Sequence, residues 1–405
     1  MTGEQRFILE SLKDFCHDRS TDRPSYSVDV SKVFEVTGAQ NLDGLIYEQT
    51  RGWIDRTLSG KHFKEALLSH AFLSANRADQ LRRIVAQFKE AGIPLTCMKG
   101  SVFRDYYPVP ELRSMGDIDF IIRPKDREAS DRIMREKLGY ERLIDNHSVW
   151  TYWTGQIMFE IHDHMFYEYL ANRFNYRDYF DAVWDHVHEE KVFGVVSDNL
   201  YVPDENFHFL YLMAHTAKHI INNGSGFRAY IDMVKMCQAK GSQMDWVWIS
   251  RELAHMQLLD FTKTCFALCE RWFGVRMPLE KERLNDAFFE RVTVKTFRDG
   301  IFGLDNMENR EARTAKEIQR SGGIYGISAL FYVLKELFPS YEDIRLVPWY
   351  AFVDGRPWLL PAAWIYRWVY CLVNKRKSSA EHLSEPFARR TKVEKRQKLI
   401  HDWGL

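Results

Sequence analysis

At Gly92 the hydrophobic period of the chain changes, and that change limits the folds open to it. Before it, in "ANRADQLRRIVAQFKEAG", Leu81, Ile84, Val85 and Phe88 recur at i, i+3, i+4 and i+7, the spacing of one helix face. Gly92 and Pro94 then stop the helix. After them come short apolar runs of strand length: "IPLTCM", "DIDFII", "YERLI", "SVWTYW" and "IMFEIH". An amphipathic helix, "RPKDREASDRIMREKLGY", separates the second run from the third, with Lys137 in its last turn and Gly139 just beyond. Thr154-Gly155-Gln156 supplies a hairpin turn between the last two runs. The chain therefore reads as α+β: a small mixed-sheet core flanked by N-terminal and C-terminal helical regions.

The expected divisions are a helical region at 1–92, the α/β core with a hairpin extension at 93–203, a helical domain at 204–373 and a charged tail at 374–405. The extension is placed in "KVFGVVSDNLYVP", turning at Ser197-Asp198-Asn199, and Asp204 is the expected cap of the following helix. A break is expected near Ser321-Gly322-Gly323. The run Trp358 to Val373 reads as a buried helix, too short and too interrupted by Pro361 and Arg367 to span a bilayer. The tail, with "FARRTKVEKRQK", reads as a solvated helix or frayed end.

Charge and cysteine usage narrow the function classes. Lys+Arg and Asp+Glu both number 56 in 405 residues, so no net basic field favours nucleic acid, although a local basic groove is compatible with this balance. The first residues, "MTGEQRFILESLKDF", carry charges throughout and lack the apolar stretch of a secretory signal. None of the six cysteines forms a C-x-x-C pair. These features point to a cytoplasmic protein without stable membrane insertion.

The chemistry centres on "SMGDIDF". On a strand, Asp117 and Asp119 point to the same face, roughly 6–7 Å apart. Two like charges at that spacing repel by roughly 2–3 kcal/mol at an effective dielectric near 20. A solvated strand edge relieves that repulsion; so does a divalent cation, which takes carboxylate oxygens together with substrate phosphates. Ile118, Phe120, Ile121 and Ile122 make this a central strand, where solvent is scarce. Glu160 in "IMFEIH" shares a face with Met158 and His162; if its strand lies beside "DIDFII", it becomes a third carboxylate. Lys99-Gly100-Ser101, between a strand and a short helix, form a turn that suits close approach of an anion.

In this order the parts resemble the nucleotidyltransferase superfamily of the DNA polymerase β type. More narrowly, they resemble a bacterial nucleotidyltransferase family still described as uncharacterised, with the pattern "LKG…YP…R…DIDLLV…GY…H…IELH". The matching residues are Lys99, Gly100, Tyr107, Pro108, Arg113, Asp117, Asp119, Gly139, Tyr140, His147, Glu160 and His162. The resemblance extends through "AHTAKHIINNGSGFRAYIDMVKM", covering roughly residues 80–240. It implies Mg²⁺ or Mn²⁺ held by Asp117, Asp119 and Glu160, with these acids catalytic, and an NTP substrate cradled by Gly100 and Ser101. Lys99, Arg113, Lys218 and Arg228 are further candidates for the nucleotide, and His162, His215 and Asp232 for supporting positions. The implied activity is transfer of an NMP to a hydroxyl of a small molecule, a tRNA or a protein.

Two other readings compete. One is a module of the same fold that binds nucleotide without turnover. The other is a zinc hydrolase built on His215 and His219, which have the i, i+4 spacing of zinc ligands, with His208 nearby. The second lacks the glutamate of a metalloprotease, because Thr216 stands in its place.

Overall fold

The helix expected before Gly92 is the second half of a much longer one, α4 (Gly60–Glu90), preceded by α1 (Gly3–Cys16), α2 (Val30–Ala39) and α3 (Asp43–Ile54). The computed structural model describes residues 1–145, 149–167, 170, 172, 174–222, 224–279, 284–300, 334, 337–344, 348–353, 355–373, 398 and 400–405. His147, the expected break at Ser321-Gly323 and most of the charged tail lie outside the described residues. Gly92 ends α4 as anticipated: it takes φ +69°, and the Ile93 amide turns back to donate to the Phe88 carbonyl.

Seven strands follow in one mixed sheet, β1 (Leu95–Met98), β2 (Asp117–Ile121), β3 (Glu141–Asp145), β4 (Val149–Trp153), β5 (Met158–His162), β6 (Val187–Glu189) and β7 (Leu200–Pro203). Their order across the sheet is β3-β4-β5-β2-β1-β7-β6. β2 runs parallel to β5, and β1 parallel to β7; the other neighbours are antiparallel. Thus "DIDFI" is central, as its apolar residues require.

Alternation divides the two faces. Leu95, Cys97, Ile118, Phe120, Phe159 and Ile161 share one core with Leu81, Ile84, Val85 and Phe88 of α4. Phe120 meets Phe88 and Phe159 edge-on, with centroids 6.0 and 6.2 Å away. That face also takes Met134 from the helix that begins as α6 (Arg127–Arg132) and widens into a π-turn over Ile133–Lys137. The opposite face carries Asp117, Asp119 and Ile121 on β2 and Glu160 and His162 on β5.

The second core joins that face to the helices. It contains Met98 and Ile121 of the sheet, residues of α1 and α3, and residues of α8 (Glu205–Asn222), α9 (Phe227–Lys240) and α11 (Leu259–Phe273). A short α5 (Gly100–Phe103) follows β1; α7 (Tyr176–Phe180), α10 (Trp246–His255) and α12 (Asp286–Asp299) complete this part. Asp204 caps α8 as expected, its Oδ1 accepting from the Phe207 amide at 2.9 Å.

Three expectations need correction. The first arm of the hairpin extension is β6 at 187–189, not the segment from Lys191; Val192 and Val195 form only an isolated bridge, and Phe193 and Gly194 turn at positive φ, which breaks a strand there. The Trp358–Val373 run is helical from Leu360, but its described residues are only partly buried: Ala363 is buried, whereas Trp358, Ile365, Tyr366 and Val369 are exposed. Among the described residues it packs through Ala363, Leu360 and Trp364 on a small cluster with Ile344, Tyr350 and Val353, and the Trp364 and Trp368 indoles donate to the Pro339 and Leu337 carbonyls. No helix among the described residues is long and apolar enough to cross a membrane. Finally, the tail is anchored at its end. Ile400 and Trp403 are buried, and Trp403 meets Phe261 and Phe288 at 5.9 and 5.4 Å.

Candidate active site

Register assembles the acids. Antiparallel pairing sets Met98 of β1 opposite Asp119, and parallel pairing sets Glu160 of β5 opposite the same residue. Asp117 stands two residues back along β2, on the same face. The three acids open onto a cavity of about 330 Å³ between the sheet and helices α8 and α9.

Lys99 follows β1 directly, so it too arrives beside Asp119. Its Nζ donates to Asp119 Oδ1 at 2.7 Å. The same oxygen lies 3.0 Å from His162 Nε2, which must carry a proton to donate to a carboxylate. His162 Nε2 is also 3.6 Å from Glu160 Oε2. Burial alone would raise the Asp119 carboxyl, but the Lys99 charge and the His162 hydrogen bond outweigh it and hold this group well below the usual carboxylate range. Asp117 goes the other way. Burial and the charges of Asp119 and Glu160 push it up to about 6 against the pull of Lys99 and Arg228. One pair of like residue types thus has two different affinities for a proton, set by which of them the lysine touches.

The turn after β1 is fixed by packing. An added Cβ on Gly100 would lie 2.2 Å from Arg113 Nη1, so the glycine makes room for that guanidinium. Arg113 in turn clasps Asp232 of α9 with two bonds, Nε to Oδ1 at 3.1 Å and Nη2 to Oδ2 at 2.7 Å. The Tyr107 hydroxyl donates to the same Oδ1 at 2.8 Å. Gly100, Arg113 and Asp232 all line the cavity. Ser101 does not: its hydroxyl is buried and donates to the Met98 carbonyl at 2.7 Å.

Helices α8 and α9 form the far wall. Lys218 and Arg228 line it, and Arg228 Nη1 donates to the Ser114 carbonyl at 3.1 Å. Burial and the neighbouring Arg113 lower the Arg228 guanidinium to about 10. His215 and His219 line the wall too, with their Nε2 atoms 3.3 Å apart; burial keeps both well toward the neutral form. His208 is elsewhere. It is fully buried, stacked on Phe103 at 4.4 Å, and its Nε2 accepts the Lys99 amide at 3.1 Å.

That arrangement bears on metals. Among the described residues, the group whose ligand atoms converge within 4.8 Å is Asp119, Glu160 and His162; Asp117, expected as a ligand, borders the same cavity but stands outside that group. The group's carboxylate oxygens are hard donors of the kind Mg²⁺ and Mn²⁺ take. His208 gives its Nε2 to the Lys99 amide, and among the described residues it forms no converging ligand group with His215 and His219.

The match to known proteins follows the same residues. The profile of the uncharacterised nucleotidyltransferase family covers residues 26–274. The chain belongs to that family. Its matched span contains every residue of the cavity described above. Among solved structures, the antibiotic-resistance factor ANT(2'')-Ia, studied in solution, is similar over 42% of this chain and 86% of its own, at 14% identity and a TM-score of 0.31. No curated protein matches the chain.

Several residues of this family member's cavity escaped the sequence reading. Tyr211 precedes His215 by four and His219 by eight, so its place on the same helix face was readable. The Gly224-Ser225-Gly226 turn before α9 also lines the cavity, and its composition marked it as a turn. Asn41, from the loop after α2, had no sequence signal.

Proposed function

We propose that the protein transfers a nucleoside monophosphate from an NTP to an acceptor hydroxyl, using a divalent metal ion. The observation that carries this reading is the cross-strand pairing of Asp119 with Glu160, with Asp117 on the same face and the family's span enclosing all three. Asp117, Asp119 and Glu160 would hold Mg²⁺ or Mn²⁺, which when bound neutralises charge developing on the phosphates. Glu160, half-buried at the cavity wall, accepts the proton of the attacking hydroxyl. His162 keeps Asp119 oriented through its 3.0 Å contact. Lys99, Lys218 and Arg228 present positive charge to the triphosphate across the cavity. Gly100 keeps the turn narrow, and Arg113 and Asp232 brace the wall. The acceptor is a hydroxyl of a small molecule, a tRNA end or a protein side chain.

Incubation with Mg²⁺ or Mn²⁺, labelled NTPs and an acceptor panel tests the proposal. Labelled product and pyrophosphate are expected from the wild type and at least a hundredfold less from Asp119→Ala, on the order of a lost electrostatic contact to the transferring group. Undiminished labelling by the variant would remove the mechanism. The second reading, nucleotide binding without turnover, draws on the Lys99 ammonium at Asp119, where a metal would bind. NTP binding with no pyrophosphate release across the panel would favour it.

A further inference from the structure

Lys99 contacts a proposed metal ligand, Asp119, through its ammonium, and its backbone is pinned. It takes φ +56° and ψ −128°, outside the regions favoured by residues with a side chain. Its amide is held by His208, and its carbonyl accepts from the Val102 and Phe103 amides at 3.1 and 2.9 Å. His208 is itself locked by stacking on Phe103. With the main chain fixed at both ends, only the side chain is free to turn. That side chain is 19% exposed and borders the cavity; its ammonium sits between Asp119 and the Tyr211 hydroxyl.

The contact on Asp119 has a consequence for metal binding. Oδ1 already takes two donors, Lys99 Nζ and His162 Nε2. A divalent ion at this carboxylate meets an ammonium at close range, and the shielding of the site from water strengthens their repulsion. Either the ion binds weakly or the ammonium leaves. A flexible lysine can leave where an arginine fork would not, and a polyphosphate in the same cavity offers it a stronger anionic partner.

We infer that Lys99 is an internal cation that occupies Asp119 in the absence of nucleotide and moves onto the triphosphate when it enters, so that tight metal binding waits for substrate. His208 is the positioning residue that aims it. The inference rests on the proposed metal site and adds to it a dependence on nucleotide that the acids alone would not produce.

Mn²⁺ binding to the nucleotide-free full chain, read by electron paramagnetic resonance, tests it. Lys99→Met and Lys99→Gln, both checked for native circular dichroism, are expected to bind Mn²⁺ about tenfold more tightly than the wild type. Lys99→Arg, which keeps the charge, should bind no more tightly than wild type. Inorganic tripolyphosphate, titrated in chelator, should bind Lys99→Met at least about fivefold more weakly. The Gln variant carries the test if Lys99→Met does not fold. Mn²⁺ affinity unchanged or weakened in the neutral variants would overturn the inference while leaving the metal site intact. No Mn²⁺ binding at millimolar concentration by any of these chains would instead overturn the metal site, and the inference with it.

Discussion

Asp117, a proposed metal ligand, weighs on the stability of the fold that holds it. Its carboxyl is raised to about 6 by burial and by two neighbouring acids, so the ionised form is a burden on the metal-free fold. Between pH 4 and 6 the folded chain holds a proton that the unfolded chain has already released. Stability therefore falls as pH rises through that window and stays lower above it. Asp117→Asn should remove the loss. In chelator at pH 7 the variant is expected to gain at most about 3 kcal/mol over wild type, read by urea denaturation, and to lose transferase activity. Equal or lower stability would refute the electrostatic account. The pair itself was legible from the strand period, because i and i+2 must share a face. Its asymmetry was not. The lysine that separates Asp117 from Asp119 lies twenty positions away, and only the β1–β2 register brings it to one acid and not the other.

Helix α8 carries the opposite pH dependence. His208 is fully buried, and burial lowers its imidazole to about 3. On acidification the unfolded chain takes up this proton near pH 6.5, well before the folded chain does, so stability is lost progressively as pH falls from 6.5 toward 3. His208→Gln cannot titrate but can still accept the Lys99 amide. Its stability curve should be shallower between pH 6 and 4 by up to about 1.4 kcal/mol per pH unit, the slope of one proton. An identical slope in chelator would show that His208 does not stay neutral in the fold. Because the Asp117 and His208 windows overlap with opposite sign, the wild-type curve should be flatter than that of Asp117→Asn. At this scale the elements were largely readable: α4, the five strands from β1 to β5, and the α8 cap all follow from period and turn chemistry. What escaped was pairing at a distance. The hairpin extension was misplaced because Val192 to Val196 is apolar enough for a strand, yet Phe193 and Gly194 turn there, and β7 takes the more distant 187–189 as its partner. The Trp-rich helix Leu360–Val373 is less buried than its apolar content suggests, because apolar side chains also populate surfaces.

The whole molecule depends on how the sheet is tied to the helices, since the cavity exists only between them. Tyr107 and Arg113, from the segment joining β1 to β2, both bond Asp232 on α9, and Gly100 leaves the space that Arg113 fills. Arg113 and Asp232 are both buried, so removing one partner strands the other's charge. Asp232→Asn should cost about 3–5 kcal/mol. Gly100→Ala pushes a methyl into the Arg113 guanidinium and should cost about 1–3 kcal/mol as an overpacked site. If both act by displacing Arg113 from α9, their effects overlap. The double variant should then lose less than the sum of the single losses by more than about 0.5 kcal/mol, as expected for residues that share a partner. Strict additivity in urea denaturation would mean that Gly100 serves the turn alone, and that the cavity wall is not held through Arg113. The same variants separate architecture from chemistry. Each should weaken NTP binding in proportion to its loss of stability, whereas Asp119→Ala should abolish transfer in a chain whose helices and sheet remain docked.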